Sequence, residues 1–252
     1  MTIKGVLLDL SGTLYVGNDL LPGVKPALQR LLSSSLPVRF VTNTSRSTRR
    51  QVHDKLRKMG LDLSEEHIFT APRAVYDYLL NHQLRPWLLV HPNLEDEFAD
   101  LNGDDPNAVV LGDAGPGFTY ERLNQAFRLL LDGAKLLAVG DNRYFREPDG
   151  LSLDAGPFIK ALEYAAGIRA LILGKPSREF FDAAVSHLAC RPEEALMVGD
   201  DVFADVKGAL QAGLQGALVQ TGKYRPGDEM HIVSEGGRCF RNLEEVVREM
   251  LV

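Results

Sequence analysis

Short apolar runs alternate with amphipathic stretches along most of the chain, and that alternation sets the first expectation. Residues 3–10 read as a buried strand. Pro22-Gly23 then opens a helix whose apolar residues Val24, Ala27, Leu28, Leu31 and Leu32 follow an i, i+3, i+4, i+7, i+8 stripe facing a core. Residues 38–41 form a second strand, and the polar loop Thr42-Asn43-Thr44-Ser45 leads into a basic helix with Val52, Leu56 and Met59 on one side and Gly60 as its stop. Towards the other end, residues 170–173 and 195–198 are continuous apolar runs of the kind found in strands buried on both faces. Between them Ser177 caps a helix carrying Phe180, Phe181, Ala184, Val185 and Leu188. Residues 216–219 supply a last strand and 243–251 a closing helix.

Strands alternating with helices predict an α/β fold with a mostly parallel sheet. The middle of the chain has its own cycle, with strands at 87–90, 108–111 and 136–139 and a helix marked by Tyr120, Leu123, Phe127 and Leu130. We therefore expect a core from residues 1–72 and 169–252, split by an inserted α/β domain at 73–168.

Composition narrows the class. The chain has 252 residues, 45% hydrophobic and 25% charged, and no apolar run approaches the roughly 20 residues of a membrane span. A net charge of −6 argues against a nucleic-acid partner, whose mark is a basic surface. Cys190 and Cys239 form no CxxC pair or disulfide framework, and the first residues show no secretory leader; both favour a cytoplasmic location.

Open parallel sheets bind ligands at the carboxyl ends of their strands. Four such ends carry chemistry: Asp9-Leu10-Ser11-Gly12-Thr13, Thr42-Asn43, Gly174-Lys175-Pro176, and Gly199-Asp200-Asp201 followed by Asp205. A carboxylate closing a leucine run loses hydration and needs a cation or several donors. Asp9 alone could be a turn former, and one acid after Gly199 could be a helix cap. Asp200, Asp201 and Asp205 together outnumber what a cap requires and, with Asp9, suggest oxygen ligation of a hard divalent cation, most simply Mg²⁺.

The conjunction of acid, hydroxyl, lysine and paired acids, in that order and each after a strand, resembles the motif set of the haloacid dehalogenase superfamily. The likeness covers essentially the whole chain, and the insert is similar to the α/β cap of the nagD-type subclass. Phe40-Val41-Thr42-Asn43, Leu123-Asn124-Gln125-Ala126-Phe127 and Thr221-Gly222-Lys223 are among the segments that carry it further.

The resemblance implies a Rossmann-like core with an inserted cap and a Mg²⁺-dependent phosphohydrolase. Asp9 would be the phosphoryl acceptor; Asp9, Asp200 and the backbone carbonyl of Ser11 would hold the metal. Thr42 and Lys175 would bind the transferring phosphoryl oxygens, with Asp201 and Asp205 supporting from behind. Gly12, Asn43, Arg46 and, in the insert, Arg143 are the expected substrate contacts. Partners would be a small phosphorylated substrate or phosphoamino acid, with neither nucleic acid nor membrane; a homodimer through the cap stays open.

One position departs from the family pattern. Most phosphatases of the superfamily carry Asp two residues after the nucleophile, as general acid and base, and here that residue is Ser11. A hydroxyl is too weak an acid to protonate a departing alkoxide, and losing general acid–base catalysis costs about 10²–10⁴-fold. The expected substrates are therefore phosphoanhydrides or phosphoramidates, such as pyrophosphate, phosphohistidine or phospholysine. The alternatives are a weak phosphomonoesterase and a catalytically impaired binding protein. A receiver domain would place paired acids after the first strand, and a P-loop would need Gly where Arg169 stands, so both are set aside.

Overall fold

A computed structural model describes residues 2–101, 103–147 and 149–251. The chain divides into two units, one of Met1–Thr42, Arg49–Phe69 and Lys175–Val252, the other of Asn43–Thr48 and Thr70–Gly174. The sequence pattern sets the insert at 73–168.

The first unit is built on a six-stranded sheet in the order Arg238–Phe240, Gln215–Val219, Ala195–Gly199, Gly5–Asp9, Val38–Thr42, Ile68–Thr70. Gly5–Asp9 pairs in parallel with both of its neighbours, and the pairs on the Gln215–Val219 side are parallel as well. All five residues of Gly5–Asp9 are buried, which is why the strand reads as an unbroken apolar run. Val6, Leu8, Phe40 and Val198 pack on one face with Leu28 and Leu31 of helix Val24–Leu32 and with Val246 and Val247 of helix Leu243–Met250. Helix Arg178–Ser186 opens as the sequence predicts, with Ser177 Oγ accepting the Phe180 N–H at 3.2 Å.

The second unit has a four-stranded parallel sheet in the order Leu171–Ile172, Lys135–Ala138, Ala108–Leu111, Pro86–Leu89. Helices Tyr120–Leu131 and Ala155–Ala166 cover it through Ala126, Leu130, Ile159 and Leu162, which join Leu89, Val109 and Leu111 in a separate core. Among the described residues no helix is long and apolar enough to cross a membrane.

Two expectations need correction. The 170–173 run is not a strand of the first unit's sheet: only Leu171–Ile172 is extended, half-buried, at the edge of the second sheet beside Lys135–Ala138. A short apolar run states that it is buried but not in which sheet. Residues 142–146 read from the sequence as a turn after a strand, but Tyr144–Glu147 pairs antiparallel with Gly150–Leu153. Edge strands Ile68–Thr70 and Arg238–Phe240 escaped notice because three-residue segments carry too little alternation to register.

Phe40 lies fully buried in the first core. Phe40→Ala is expected to destabilise that unit by about 3–5 kcal/mol, read as a lowered midpoint in urea unfolding followed by far-ultraviolet circular dichroism.

Candidate active site

The register of the central strands assembles the site. Asp9 lies opposite Val41, so Thr42 is the next residue out on the neighbouring strand; Leu8 lies opposite Val198, so Gly199-Asp200 continues past it on the other side. Asp9, Asp200, Asp205 and Lys175 are all buried. Lys175 Nζ donates to Asp9 Oδ1 at 2.5 Å and to Asp205 Oδ1 at 2.6 Å. The second oxygen of Asp205 accepts the Asp201 N–H at 3.1 Å, and a Cβ on Gly199 would fall 2.3 Å from it, so only glycine permits the approach. Asp201 caps the π-helical turn Val202–Lys207 by accepting the N–H groups of Phe203 and Ala204 at 3.1 and 2.9 Å. That turn presents Asp205 to the lysine.

Burial raises the Asp9 carboxyl to about 7 because Lys175 offsets the lost hydration only in part, and Asp205 and Asp200 add repulsion. Burial likewise raises Asp200 to about 6, against a backbone hydrogen bond from Lys223. Burial opposes the charge on Lys175, but Asp205 and Asp9 outweigh it and hold the ammonium above its usual range. Asp9, Asp200 and Asp205 offer oxygens within 4.8 Å of one another. With both Asp205 oxygens engaged, Asp9 and Asp200 are the acids that a cation would neutralise. A buried all-oxygen donor set fits a hard divalent cation.

The remaining expected residues distribute as follows. Ser11 is exposed. Gly12, at φ +92°, donates its amide within the loop to the Tyr15 carbonyl at 2.7 Å, and a Cβ there would fall 2.0 Å from Asp200 Oδ2. Asn43, Arg46 and Arg143 belong to the second unit. Arg46 is engaged there: its guanidinium meets the buried Asp113, donates to Glu147 at 2.9 Å and lies 4.3 Å from the Phe145 ring centroid. Arg143 is exposed.

Sequence reasoning gave no chemical role to Thr221-Gly222-Lys223, whose Lys223 N–H donates to Asp200 Oδ2 at 2.7 Å. The signal was available, because this loop leaves the carboxyl end of the buried strand Gln215–Val219.

A family model described as haloacid dehalogenase-like hydrolase matches residues 6–103, and one described as HAD-hydrolase-like matches 172–246. The chain is 48% identical over 230 residues to haloacid dehalogenase-like hydrolase domain-containing protein 2 of Rattus norvegicus, covering 91% of this chain and 89% of that one. It is 42% identical over 255 residues to the phospholysine phosphohistidine inorganic pyrophosphate phosphatase of the same species, covering 99% and 94%. Among solved structures, a 4-nitrophenylphosphatase from Thermotoga maritima superposes with a TM-score of 0.88 at 31% identity, over 98% of this chain and 97% of that one. A glycerol phosphate phosphatase from Mycobacterium tuberculosis in complex with magnesium gives 0.83 at 25% identity, over 98% and 77%.

The raised carboxyls make stability depend on pH in a stated direction. Their folded pKa values exceed the unfolded ones, so the folded state binds more protons between about pH 4 and 7. Cation-free protein is therefore expected to lose stability as pH rises through that window, with Asp200 contributing up to about 6 and Asp9 up to about 7. A divalent cation favours the ionised forms, so the stabilisation from added Mg²⁺ should grow over the same interval. Scanning calorimetry in chelator and in Mg²⁺ across this range measures both trends.

Proposed function

The chain belongs to the haloacid dehalogenase-like hydrolases and is a phosphatase, and from that premise we propose a Mg²⁺-dependent hydrolase of phosphoanhydride or phosphoramidate bonds that works through a phosphoaspartyl intermediate. The observation that carries the catalytic part is Lys175 held between Asp9 and Asp205 in a buried corner beside Asp200. Asp9 attacks phosphorus, the bond to the leaving group breaks, and water then cleaves the acyl phosphate to release inorganic phosphate and restore Asp9. Lys175, with the hydroxyl of Thr42, neutralises the phosphoryl oxygens as charge develops on them, the positioning and electrostatic strategy that governs this chemistry. Asp205 keeps the lysine charged and aimed, and Asp201 shapes the turn that carries Asp205.

Asp9, Asp200 and the Ser11 carbonyl are the residues assigned to Mg²⁺, which when bound supplies positive charge against the phosphoryl group. The buried acids and the magnesium complex of the Mycobacterium tuberculosis phosphatase support that choice of ion. Gly12 serves by letting Asp200 close on the loop. Asn43, Arg46 and Arg143 lie in the second unit, where Asp113 and Glu147 engage the Arg46 guanidinium.

Ser11 supports the choice of bond. Pyrophosphate leaves as an already stable anion, and a phosphoramidate nitrogen can carry its own proton, so neither needs a carboxylic acid at position 11. The relative named for phospholysine, phosphohistidine and pyrophosphate, similar along nearly the full length, points the same way.

With Mg²⁺, purified protein is expected to release phosphate from pyrophosphate and from p-nitrophenyl phosphate, whose phenolate also leaves without a proton, but slowly from an alkyl phosphate. Asp9→Asn should abolish release from all three; activity that survives it belongs to a contaminant. Ser11→Asp should raise alkyl phosphate turnover, by up to about 10²–10⁴-fold. An unchanged rate would show that the acid missing at position 11 does not limit that reaction. No release from any substrate by folded, Mg²⁺-binding protein would favour a binding protein instead.

A further inference from the structure

Thr221-Gly222-Lys223 makes contacts that the proposed reaction does not use. Thr221 Oγ1 donates to the Gly12 carbonyl at 2.6 Å, tying the loop to the turn that follows the nucleophile. Gly222 sits at φ +56°, where a Cβ would fall 2.1 Å from Asp200 Oδ2 and 2.5 Å from the Gly12 Cα. The Lys223 N–H donates to that same Asp200 oxygen, and Lys223 Nζ pairs with Asp201 Oδ2 at 3.0 Å. Successive residues of one loop thus contact the Asp9 turn and both acids of the Asp200-Asp201 pair.

A carboxylate with one oxygen fixed by a backbone donor and its flanks filled by two glycines has little freedom to swing. The Lys223–Asp201 pair is largely solvated on the lysine side and adds little to global stability, but it restrains the residue whose amide holds Asp200. The Thr221 bond fixes the spacing between that loop and the turn bearing Ser11, whose carbonyl is assigned to the metal.

We propose that Thr221-Gly222-Lys223 is a positioning loop for the cation site, setting the affinity for a divalent cation through Asp200 and the Asp9 turn without itself supplying a ligand atom. The inference rests on the metal-dependent reading of the site. It implies that the loop governs the cation concentration at which the enzyme works, while the rate at saturating cation is set elsewhere.

Calorimetric titration of the resting protein with Mg²⁺, and the paramagnetic signal of bound Mn²⁺, test this without turnover. Thr221→Val and Lys223→Met should each weaken binding by about five- to tenfold, roughly the worth of one hydrogen bond. Thr221→Ser and Lys223→Arg should restore it to within about twofold. Gly222→Ala should weaken binding more than either, since its methyl must displace the Asp200 carboxylate. In phosphate-release assays the Mg²⁺ activation constant of Thr221→Val and Lys223→Met should rise in proportion, with kcat at saturating Mg²⁺ within about twofold of wild type.

Wild-type cation affinity in both variants, with wild-type protein binding Mg²⁺ normally, overturns the positioning role and leaves the proposed function standing. A fall in kcat that saturating Mg²⁺ does not recover also overturns it, because the loop would then act on chemistry. Failure of wild-type protein to bind Mg²⁺ or Mn²⁺ at all overturns the reading of the site together with this inference.

Discussion

Lys175 holds two buried carboxylates at once, and the arrangement of the first unit follows from the need to keep those three charges together. A charge taken out of water is tolerated in a protein interior only when paired and hydrogen-bonded, and removing one partner of such a group costs about 3–5 kcal/mol. The partners come from three places in the chain: the end of Gly5–Asp9, the residue at which the chain re-enters the first unit, and the turn after Ala195–Gly199. Asp205 reaches the lysine because Gly199 has no side chain to block it and because the Asp201 amide anchors its other oxygen. Asp200, with an oxygen within 4.8 Å of those of Asp9 and Asp205, accepts the Lys223 N–H and keeps a pKa raised by burial. With all three acids ionised against one lysine, the interior is two positive charges short of neutral, a deficit of the size a divalent cation fills.

This imbalance resolves the sign problem posed by an acidic chain that handles an anionic substrate. The net charge of −6 describes the surface seen from far away, whereas the proposed site buries Lys175, which a phosphoryl group there would meet at close range. The chemistry proposed for it is accordingly strong in positioning and charge neutralisation and, with Ser11 in place of an acid, weak in proton delivery. On the proposed mechanism, such a site would select among bonds by the quality of the leaving group more than by the shape of what is attached to it.

Much of this was legible in the residues themselves, for a physical reason. Strands buried on both faces must be apolar throughout, so Gly5–Asp9 and Ala195–Gly199 announce themselves, and the polar residues that end them stand out against the run. The helix stripes of Val24–Leu32 and Arg178–Ser186 were equally plain. What stayed hidden depends on pairing across the chain. Nothing in the 170–173 run states that Leu171–Ile172 joins Lys135–Ala138 and not the sheet that holds Asp9. Arg46 reads as a phosphate ligand by its distance from Thr42, and its engagement with Asp113 and Glu147 follows only from the fold of the second unit. The contacts of Thr221 and Lys223 are hidden for the same reason, since their partners lie near residues 12 and 200.

The order of strands in the first sheet bears on how the molecule comes into being. Gly5–Asp9 precedes its partner strands along the chain, yet one of its edges is covered only by Ala195–Gly199, and the lysine that pairs with Asp9 lies 166 residues downstream. Closing so long a loop costs entropy before any native contact returns it, and sheets assembled from distant segments fold slowly. During synthesis the central strand therefore waits with an open apolar edge, the kind of edge that invites association with other chains. The second unit, drawn mainly from the continuous stretch Thr70–Gly174, has its partners at hand as it emerges. Asp9 is thus made long before the residues that complete its surroundings.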